Sequence, residues 1–431
     1  MPRIQNLDRR RFLRLSAAFG CSAAAAPLMT RVTFAAVPGD NRLVVLILRG
    51  AMDGLDVLRP VGDPDFAGLR GPDVAGEKPA ADLDGFFALH PALADLLPMW
   101  RAGGLGFAHA VSTPYRNKRS HFDGQDILEA GSGLDVPDSQ IRDGWLNRLI
   151  QALPGATGET AYAIGLDQLK VISGAAPVRQ WSPDARIELD AQSRRLLERL
   201  YEGDPLFHAA GNTAFDLAEA ALANETDAAQ SGEMVGDMAE DMADGMAGDM
   251  SERTARETAK APRRAGVSAA GLAAFAARKL RAEARIAAFS INGWDTHRDQ
   301  RQVLGGRLEA LAAALGALER GLGPEVWGKT TVLAMTEFGR TVRANGTAGT
   351  DHGTGGAMLL AGGAVRGGRV LGDWPGLDES SLYERRDLMP TRDVRAFAGW
   401  TMRGLFGLDR SLIEGSVFPG LDMGDDPGVL L

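Results

Sequence analysis

The chain has 431 residues, of which 45% are hydrophobic and 24% are charged, and its net charge at pH 7 is −9. These values are typical of a globular protein with a sizeable core, and the excess of acids argues against nucleic acid or anionic membranes as partners. No apolar run beyond the N-terminal segment reaches the roughly 18 residues that a membrane span needs. The composition therefore predicts a globular protein without a membrane span.

The N-terminal segment differs from the rest of the chain. The stretch "DRRRFLRLSAAFGCSAAAAPLMTRVTFAA" opens on three arginines, Arg9 to Arg11, and a short apolar run of small residues leads to Ala36. This pattern predicts a twin-arginine signal peptide over residues 1–36 and export by the twin-arginine machinery, so that the protein would be periplasmic or secreted. The alternative is an amphipathic N-terminal helix.

Removing such a signal changes both the cysteine count and the charge. The only cysteine, Cys21, lies inside it, so residues 37–431 can form no disulfide and offer no cysteine ligand to a metal. These residues carry 41 bases and 55 acids, a net charge of −14. Because the twin-arginine route carries proteins that have already folded, it favours a metal or cofactor bound before export.

Continuous apolar runs alternate with helical patterns such as "RLEALAAALGALERGLG". This alternation predicts one α/β domain over residues 37–431, with three α/β/α layers and a mostly parallel sheet. In such folds, sites form where strands end and loops begin. The predicted strands are Arg42–Gly50, Gly104–Val111, Thr160–Leu166, Arg285–Ile291, Thr330–Phe338 and Gly356–Gly363.

An acidic, methionine-rich insert at about 225–262 interrupts this pattern. Residues 225–252 hold nine acids and no base, and five methionines recur at every fourth position from Met234 to Met250. Three interpretations remain open: a mobile low-complexity loop, an amphipathic helix that meets a protein partner, or metal capture by thioethers.

Two polar clusters follow the first strands. Asp53 lies in a turn after the first strand, where it is either a ligand for a divalent cation or the acceptor of an Asx-turn. Arg119 precedes Ser120 and His121 in "RSHFDGQD". Ser120 is either a nucleophile, activated by a metal or by His121, or the N-cap of the following helix.

A third cluster follows the strand that ends near Ile291. In "GWDTH", Asp295 and His297 have the chemistry of metal ligands, and a spacing of two in an extended segment places both side chains on one face. The alternative is that Asp295 and Thr296 cap the next helix.

A fourth cluster follows the strand Thr330–Phe338. Glu337 comes at its end, Arg340 and Asn345 lie in the loop, and His352 stands between glycines before the next strand. We expect the four clusters to converge on one polar site, since all of them lie in strand-end loops. The remaining histidines, His90, His109 and His208, are expected to be packing or surface residues.

These motifs resemble a known family. "LRGAMDGLDVLRP", "RSHFDGQD", "GWDTH", "TEFGRT", "GTDHG" and "TRDVRAFAGWTMRGLFGLDRSLIEGSVFPG" are similar to the exported bacterial proteins grouped as domain of unknown function 1501. That family is itself similar to the alkaline phosphatase and sulfatase superfamily. The resemblance implies an α/β/α hydrolase fold, divalent metal ions (Zn, Mn, Ca or Fe) and a Ser, Thr or modified Cys nucleophile.

The resemblance also implies roles for individual residues. Ser120 or His121 would be catalytic, Arg119, Arg340 and Asn345 would bind the substrate, and the metal ligands would be Asp53, Asp295, His297, Glu337 and His352. Two departures stand out, because the superfamily usually has Asp-x-x-x-His where this chain has Asp-x-His, and Asp-His where this chain has Glu337-Phe338. A phenyl ring cannot bind metal, so one site could survive while a second loses a ligand.

The leading hypothesis is a metal-dependent hydrolase of phosphate or sulfate esters, or of a related small anionic substrate. In it, the ion polarises the substrate oxygen and lowers the pKa of the attacking group. The alternative is a non-catalytic binding or assembly protein that keeps the hydrolase fold.

Overall fold

A computed structural model describes residues 39–71, 81–116, 118–134, 141–182 and 267–431. The predicted signal peptide and the acidic insert lie outside these residues. All six predicted strands are found, with bounds that differ from the prediction by a few residues at each end. The described strands are β1 (Arg42–Arg49), β2 (Leu58–Arg59), β3 (Ala81–Asp82), β4 (Ala88–Leu89), β5 (Leu105–Ser112), β6 (Ala161–Ile164), β7 (Arg179–Trp181), β8 (Ile286–Asn292), β9 (Thr330–Met335), β10 (Gly356–Ala361), β11 (Val370–Leu371) and β12 (Arg392–Asp393).

The large sheet has the order β11-β5-β10-β9-β1-β8-β6-β7, and β12 also pairs with β5. Its strands run parallel except β10, which is antiparallel to both β5 and β9. The strands β2, β4 and β3 form a small separate antiparallel sheet. Because β10 is reversed, its first residue lies at the edge where β1, β8 and β9 end. Loops from four neighbouring strands therefore meet at one edge.

Helices cover both faces of the sheet, which confirms the predicted three-layer α/β/α class. The described helices are α1 (Gly54–Val57), α2 (Phe66–Arg70), α3 (Leu97–Arg101), α4 (His121–Ala130), α5 (Trp145–Ala152), α6 (Ala269–Arg281), α7 (Gln300–Trp327), α8 (Val394–Phe406) and α9 (Arg410–Leu412), with 3-10 turns at Pro91–Leu96 and Lys170–Ile172 and a π-helical turn at Ile413–Val417. None of these helices is long and apolar enough to cross a bilayer.

Strand β1 shows why these sequences form buried strands. Val44, Leu46 and Leu48 join the core that α6 and α7 cover, whereas Leu43, Val45 and Ile47 join the core under α5 and α8. A strand with helices on both faces has no solvent side, so its apolar residues follow one another without alternation.

The small buried histidine of the core, His109, gives a prediction about pH. Its Nδ1 accepts from the Ala110 amide at 2.8 Å, its Nε2 faces the Leu58 carbonyl at 3.2 Å, and its ring lies beside Phe87 and Trp374. Burial is the main cause that lowers the pKa of His109 to about 4, from 6.5. A proton on Nδ1 would also face an amide donor.

The folded protein therefore disfavours protonated His109, while the unfolded chain accepts the proton below pH 6.5. We expect stability to fall by about 3 kcal/mol as the pH drops from 6.5 to about 4, because of this group alone. Urea titrations at several pH values would measure it, beside a His109→Gln variant. The difference between the two proteins should grow over this window, and parallel curves would contradict the prediction.

Candidate metal centre

Four side chains from three strand-end loops and a helix meet at the carboxyl edge of the sheet. Asp295 and His297 follow β8, His352 precedes β10, and His121 is the first residue of α4, which follows β5. The ligand atoms of His121, Asp295 and His352 lie within 4.8 Å of one another. Asp295 and His297 keep 45% and 41% of their side chains exposed, so the cluster opens to solvent.

The four ligand atoms surround Asp295 Oδ1. The distances from this oxygen are 3.1 Å to His297 Nε2, 3.2 Å to His352 Nε2 and 3.4 Å to His121 Nε2. The Nε2 atoms of His297 and His352 lie 2.9 Å apart. Atoms that bind one tetrahedral ion at about 2.0–2.1 Å lie about 3.3 Å from each other. These spacings therefore suit a single ion among them.

Each of the three imidazoles has its other nitrogen beside an oxygen. Nδ1 of His121 lies 2.8 Å from Glu337 Oε1, Nδ1 of His352 lies 2.7 Å from the Arg119 carbonyl, and Nδ1 of His297 lies 3.2 Å from Asp351 Oδ1. A carbonyl or an ionised carboxylate only accepts, so each Nδ1 carries a proton. In the neutral rings, the three Nε2 atoms then direct bare lone pairs towards one point. Close lone pairs repel one another, and a cation between them removes that repulsion.

A buried guanidinium keeps Asp295 ionised. Arg340 donates from Nη2 to Asp295 Oδ1 at 2.6 Å, and its own side chain is fully buried. Burial would raise the pKa of Asp295, but the hydrogen bond and the charge of Arg340 outweigh it and hold the pKa at about 2. The carboxylate is thus available as a ligand across the physiological range.

Opposite pKa shifts mark the two histidines next to it. Burial lowers the pKa of His352, and the positive charges of His121 and Arg340 lower it further, which favours the neutral ring. For His121, burial acts in the same direction, but the hydrogen bond and charge of Glu337 outweigh it and the pKa is raised. Burial would likewise raise the pKa of Glu337, yet hydrogen bonds from His121 and Gln125 lower it overall.

Two glycines allow the loops to approach this closely. Residues 339–341 pair with residues 351–354 through backbone hydrogen bonds, and Arg340 forms a bridge with His352. A Cβ atom on Gly339 would lie 1.9 Å from the Gly355 oxygen, and one on Gly353 would lie 2.4 Å from the Arg340 carbonyl carbon. Only glycine fits both positions, which explains the glycines on either side of the His352 motif.

Asp53, a predicted metal ligand, is placed outside the cluster. Its fully buried carboxylate accepts from Arg70 at 2.6 and 2.9 Å and from Gln300 at 2.7 Å. It also accepts from the Leu55 amide as the N-cap of α1, at 3.1 Å, which is the Asx-type alternative. Burial would raise the pKa of Asp53, but Arg70 and Gln300 lower it. Asp53 is therefore an ionised partner of Arg70.

Ser120 has the second of its two predicted arrangements. It is the N-cap of α4, with its Oγ 3.5 Å from the Asp123 amide, and its own amide donates to the Tyr115 hydroxyl at 2.8 Å. The cap alternative proposed for Asp295 and Thr296 is wrong, since α7 begins after Asp299.

The residues predicted to bind the substrate are engaged with the protein itself. Arg119 forms ion pairs with Glu384 and Asp387, both at 3.2 Å. Asn345 donates to the His297 carbonyl at 3.0 Å and to Asp351 Oδ1 at 3.1 Å, which orders the loop under His297. Arg340 donates to four backbone carbonyls besides Asp295. These three residues shape the site, and their contacts here are with protein atoms.

Sequence reasoning assigned no role to three residues that complete the site. Asp351 orients His297, Gln125 donates to Glu337 at 3.2 Å, and the buried Phe338 ring stacks on His121 with centroids 5.2 Å apart. Asp351 adjoins His352 in the motif, and Gln125 follows His121 by four residues on one helix face, so both positions carried a signal. The contact of Phe338 could not be read from the sequence.

Comparisons with known proteins identify the family and one solved structure. Residues 103–400 match the family described as "Protein of unknown function (DUF1501)", a range that includes every residue of the cluster. No curated protein matches the sequence. A protein in the alkaline phosphatase superfamily from Vibrio parahaemolyticus is similar at 10% identity and a TM-score of 0.30, over 75% of this chain and 60% of that one. This chain thus spans less than two thirds of that protein.

Proposed function

The chain belongs to the DUF1501 family, and from the geometry of its own residues we propose that it is a metal-dependent hydrolase of phosphate or sulfate esters or of a related anionic group. The observation that carries the proposal is the convergence of three Nε2 atoms on Asp295 Oδ1, at 3.1 to 3.4 Å. Imidazole and carboxylate together suit Zn, Mn or Fe, whereas Ca prefers oxygen ligands alone. We therefore narrow the expected metal to the first three.

Asp295, His352, His121 and His297 would hold this ion. Bound there, it would supply Lewis acidity and lower the pKa of an attacking group. The protein's own contribution is to keep Asp295 charged through Arg340, and to fix the three rings through Glu337, the Arg119 carbonyl and Asp351. The half-exposed side chains of Asp295 and His297 leave the cluster accessible to a small substrate.

One observation favours a second candidate, a non-catalytic binding or assembly protein. If all four side chains bound one ion, a tetrahedral site would be closed, as structural zinc sites are, whereas catalytic sites keep an open position. Arg119 and Arg340 are also paired with carboxylates, which weakens their predicted role as anion holders. In this candidate, the ion would only stabilise the loops.

An activity assay separates the two candidates. We expect the zinc- or manganese-loaded protein to hydrolyse p-nitrophenyl phosphate or p-nitrophenyl sulfate, and Asp295→Ala to reduce turnover to background. Glu325→Ala is the matched control, because it removes a carboxylate that is 88% exposed and far along the chain from the cluster. A loaded protein that binds its metal and turns over neither ester would favour the non-catalytic candidate.

A further inference from the structure

Glu337 was predicted as a metal ligand, and its contacts indicate a different task. We propose that Glu337 is a positioning residue that sets the orientation and tautomer of His121, and that it does not touch the ion. This inference rests on the proposed metal site and defines how one of its ligands is prepared.

The carboxylate of Glu337 has no free acceptor site. An ionised carboxylate offers about four lone-pair sites on its two oxygens. Oε1 accepts from the Gly50 amide at 2.9 Å, from His121 Nδ1 at 2.8 Å and from Gln125 Nε2 at 3.2 Å. Oε2 accepts from the Thr336 hydroxyl at 2.9 Å. With four donors and no exposed surface, the group has no lone pair left for a cation.

The hydrogen bond from His121 then decides which nitrogen faces the cluster. Because Nδ1 donates to Glu337, the neutral ring presents Nε2 as an acceptor. Nε2 is buried without a hydrogen-bond partner, and it lies 3.4 Å from Asp295 Oδ1. A buried nitrogen left bare beside a carboxylate is unfavourable, and a bound cation would satisfy both. This is the carboxylate–histidine–metal arrangement, in which the carboxylate fixes the ring that binds.

Phe338 and Glu337 divide the control of this ring. The Phe338 ring is nearly parallel to the His121 imidazole, at 23° and 5.2 Å between centroids, and so restrains the tilt of the imidazole plane. Glu337 fixes the rotation within that plane, since it accepts from one nitrogen and leaves the other directed away. The Glu337-Phe338 pair, which has lost an imidazole relative to the resembling superfamily, thus retains a function in orienting one.

The test compares two buried carboxylates at the same sheet edge. Glu337→Gln removes the charge next to His121 at nearly constant shape. Glu129→Gln is the matched control, because Glu129 is equally buried but pairs with Arg49 and the Val171 amide. Zinc dissociation constants would be measured by competition with a chelating dye on metal-free protein, with circular dichroism to verify folding.

We expect Glu337→Gln to weaken zinc binding about 10- to 100-fold, the usual effect of losing such a partner, and Glu129→Gln to leave it unchanged. Equal affinity in wild type and Glu337→Gln would overturn the inference alone, whereas a wild type that binds no zinc would overturn the proposed function. A second measurement needs no variant. In the zinc-loaded wild type, nitrogen NMR should show the His121 proton on Nδ1, and a proton on Nε2 would refute the assignment.

Discussion

Protein purified without chelator is expected to carry close to one divalent ion per chain, and the Asp295→Ala/His352→Ala double variant almost none. The reason is that these two residues supply the oxygen and one of the nitrogens around which the other ligand atoms lie, at 3.1 to 3.4 Å from Asp295 Oδ1. Metal content by mass spectrometry would measure the effect. Added zinc should also stabilise the metal-free wild type, by about 2.7 kcal/mol at about 100 times the Kd.

Asp53→Asn provides the matched control for this experiment. Asp53 was predicted as a ligand with Asp295, but its carboxylate is paired with Arg70 outside the cluster. We expect this variant to keep its metal while losing stability, since it leaves a buried guanidinium without its counter-ion. Loss of metal from Asp53→Asn in folded protein would indicate a larger site than the one described. A wild type without metal, and without a shift in melting temperature, would make the cluster a structural turn.

Arg340→Met is expected to lower the free energy of unfolding by about 3–5 kcal/mol, among the largest single effects in the protein. The Arg340 guanidinium donates to the carbonyls of Gly50, Ala51, Trp294 and Thr350, and to Asp295. These acceptors come from three separate loops, and methionine would leave several of them buried without a donor. Urea denaturation of the metal-free protein would measure the loss independently of any ligand.

Arg343→Met is the comparison that isolates the buried position. Arg343 lies three residues away in the same loop and is exposed. Its replacement should change stability by no more than about 0.5 kcal/mol. If Arg340→Met were as mild, the contacts of Arg340 would contribute little, and the loops at the sheet edge would have to be held together by their backbone bonds alone.

Much of the fold could be predicted because its signals are local. β1 is a run of apolar residues, and it is buried on both faces, so the sequence pattern and the structure report the same fact. The exceptional direction of β10 could not be predicted, because strand direction depends on which neighbour a strand pairs with. That reversal decides the site, since it places His352 at the edge where Asp295 and Glu337 lie.

The residue types of the site were also legible, but their partners were not. His297, Asp295 and His352 lie together as the motifs suggested, and the family match agrees with the resemblance that those motifs carried. Asp53 and Glu337 looked equally suitable as ligands, because both are carboxylates after buried strands. Their surroundings separate them, since Arg70 neutralises the first and four donors surround the second.

The sequence by itself determined the three-layer α/β class, the strands and the set of polar residues at their ends, because apolar runs and turn residues act over short distances along the chain. Only the tertiary structure decided which of those residues are free to bind an ion. His121 and Glu337 stand 216 residues apart, and Arg340 reaches Asp295 across 45. Whether a carboxylate is a ligand or a support depends on such distant donors, and no local pattern encodes them.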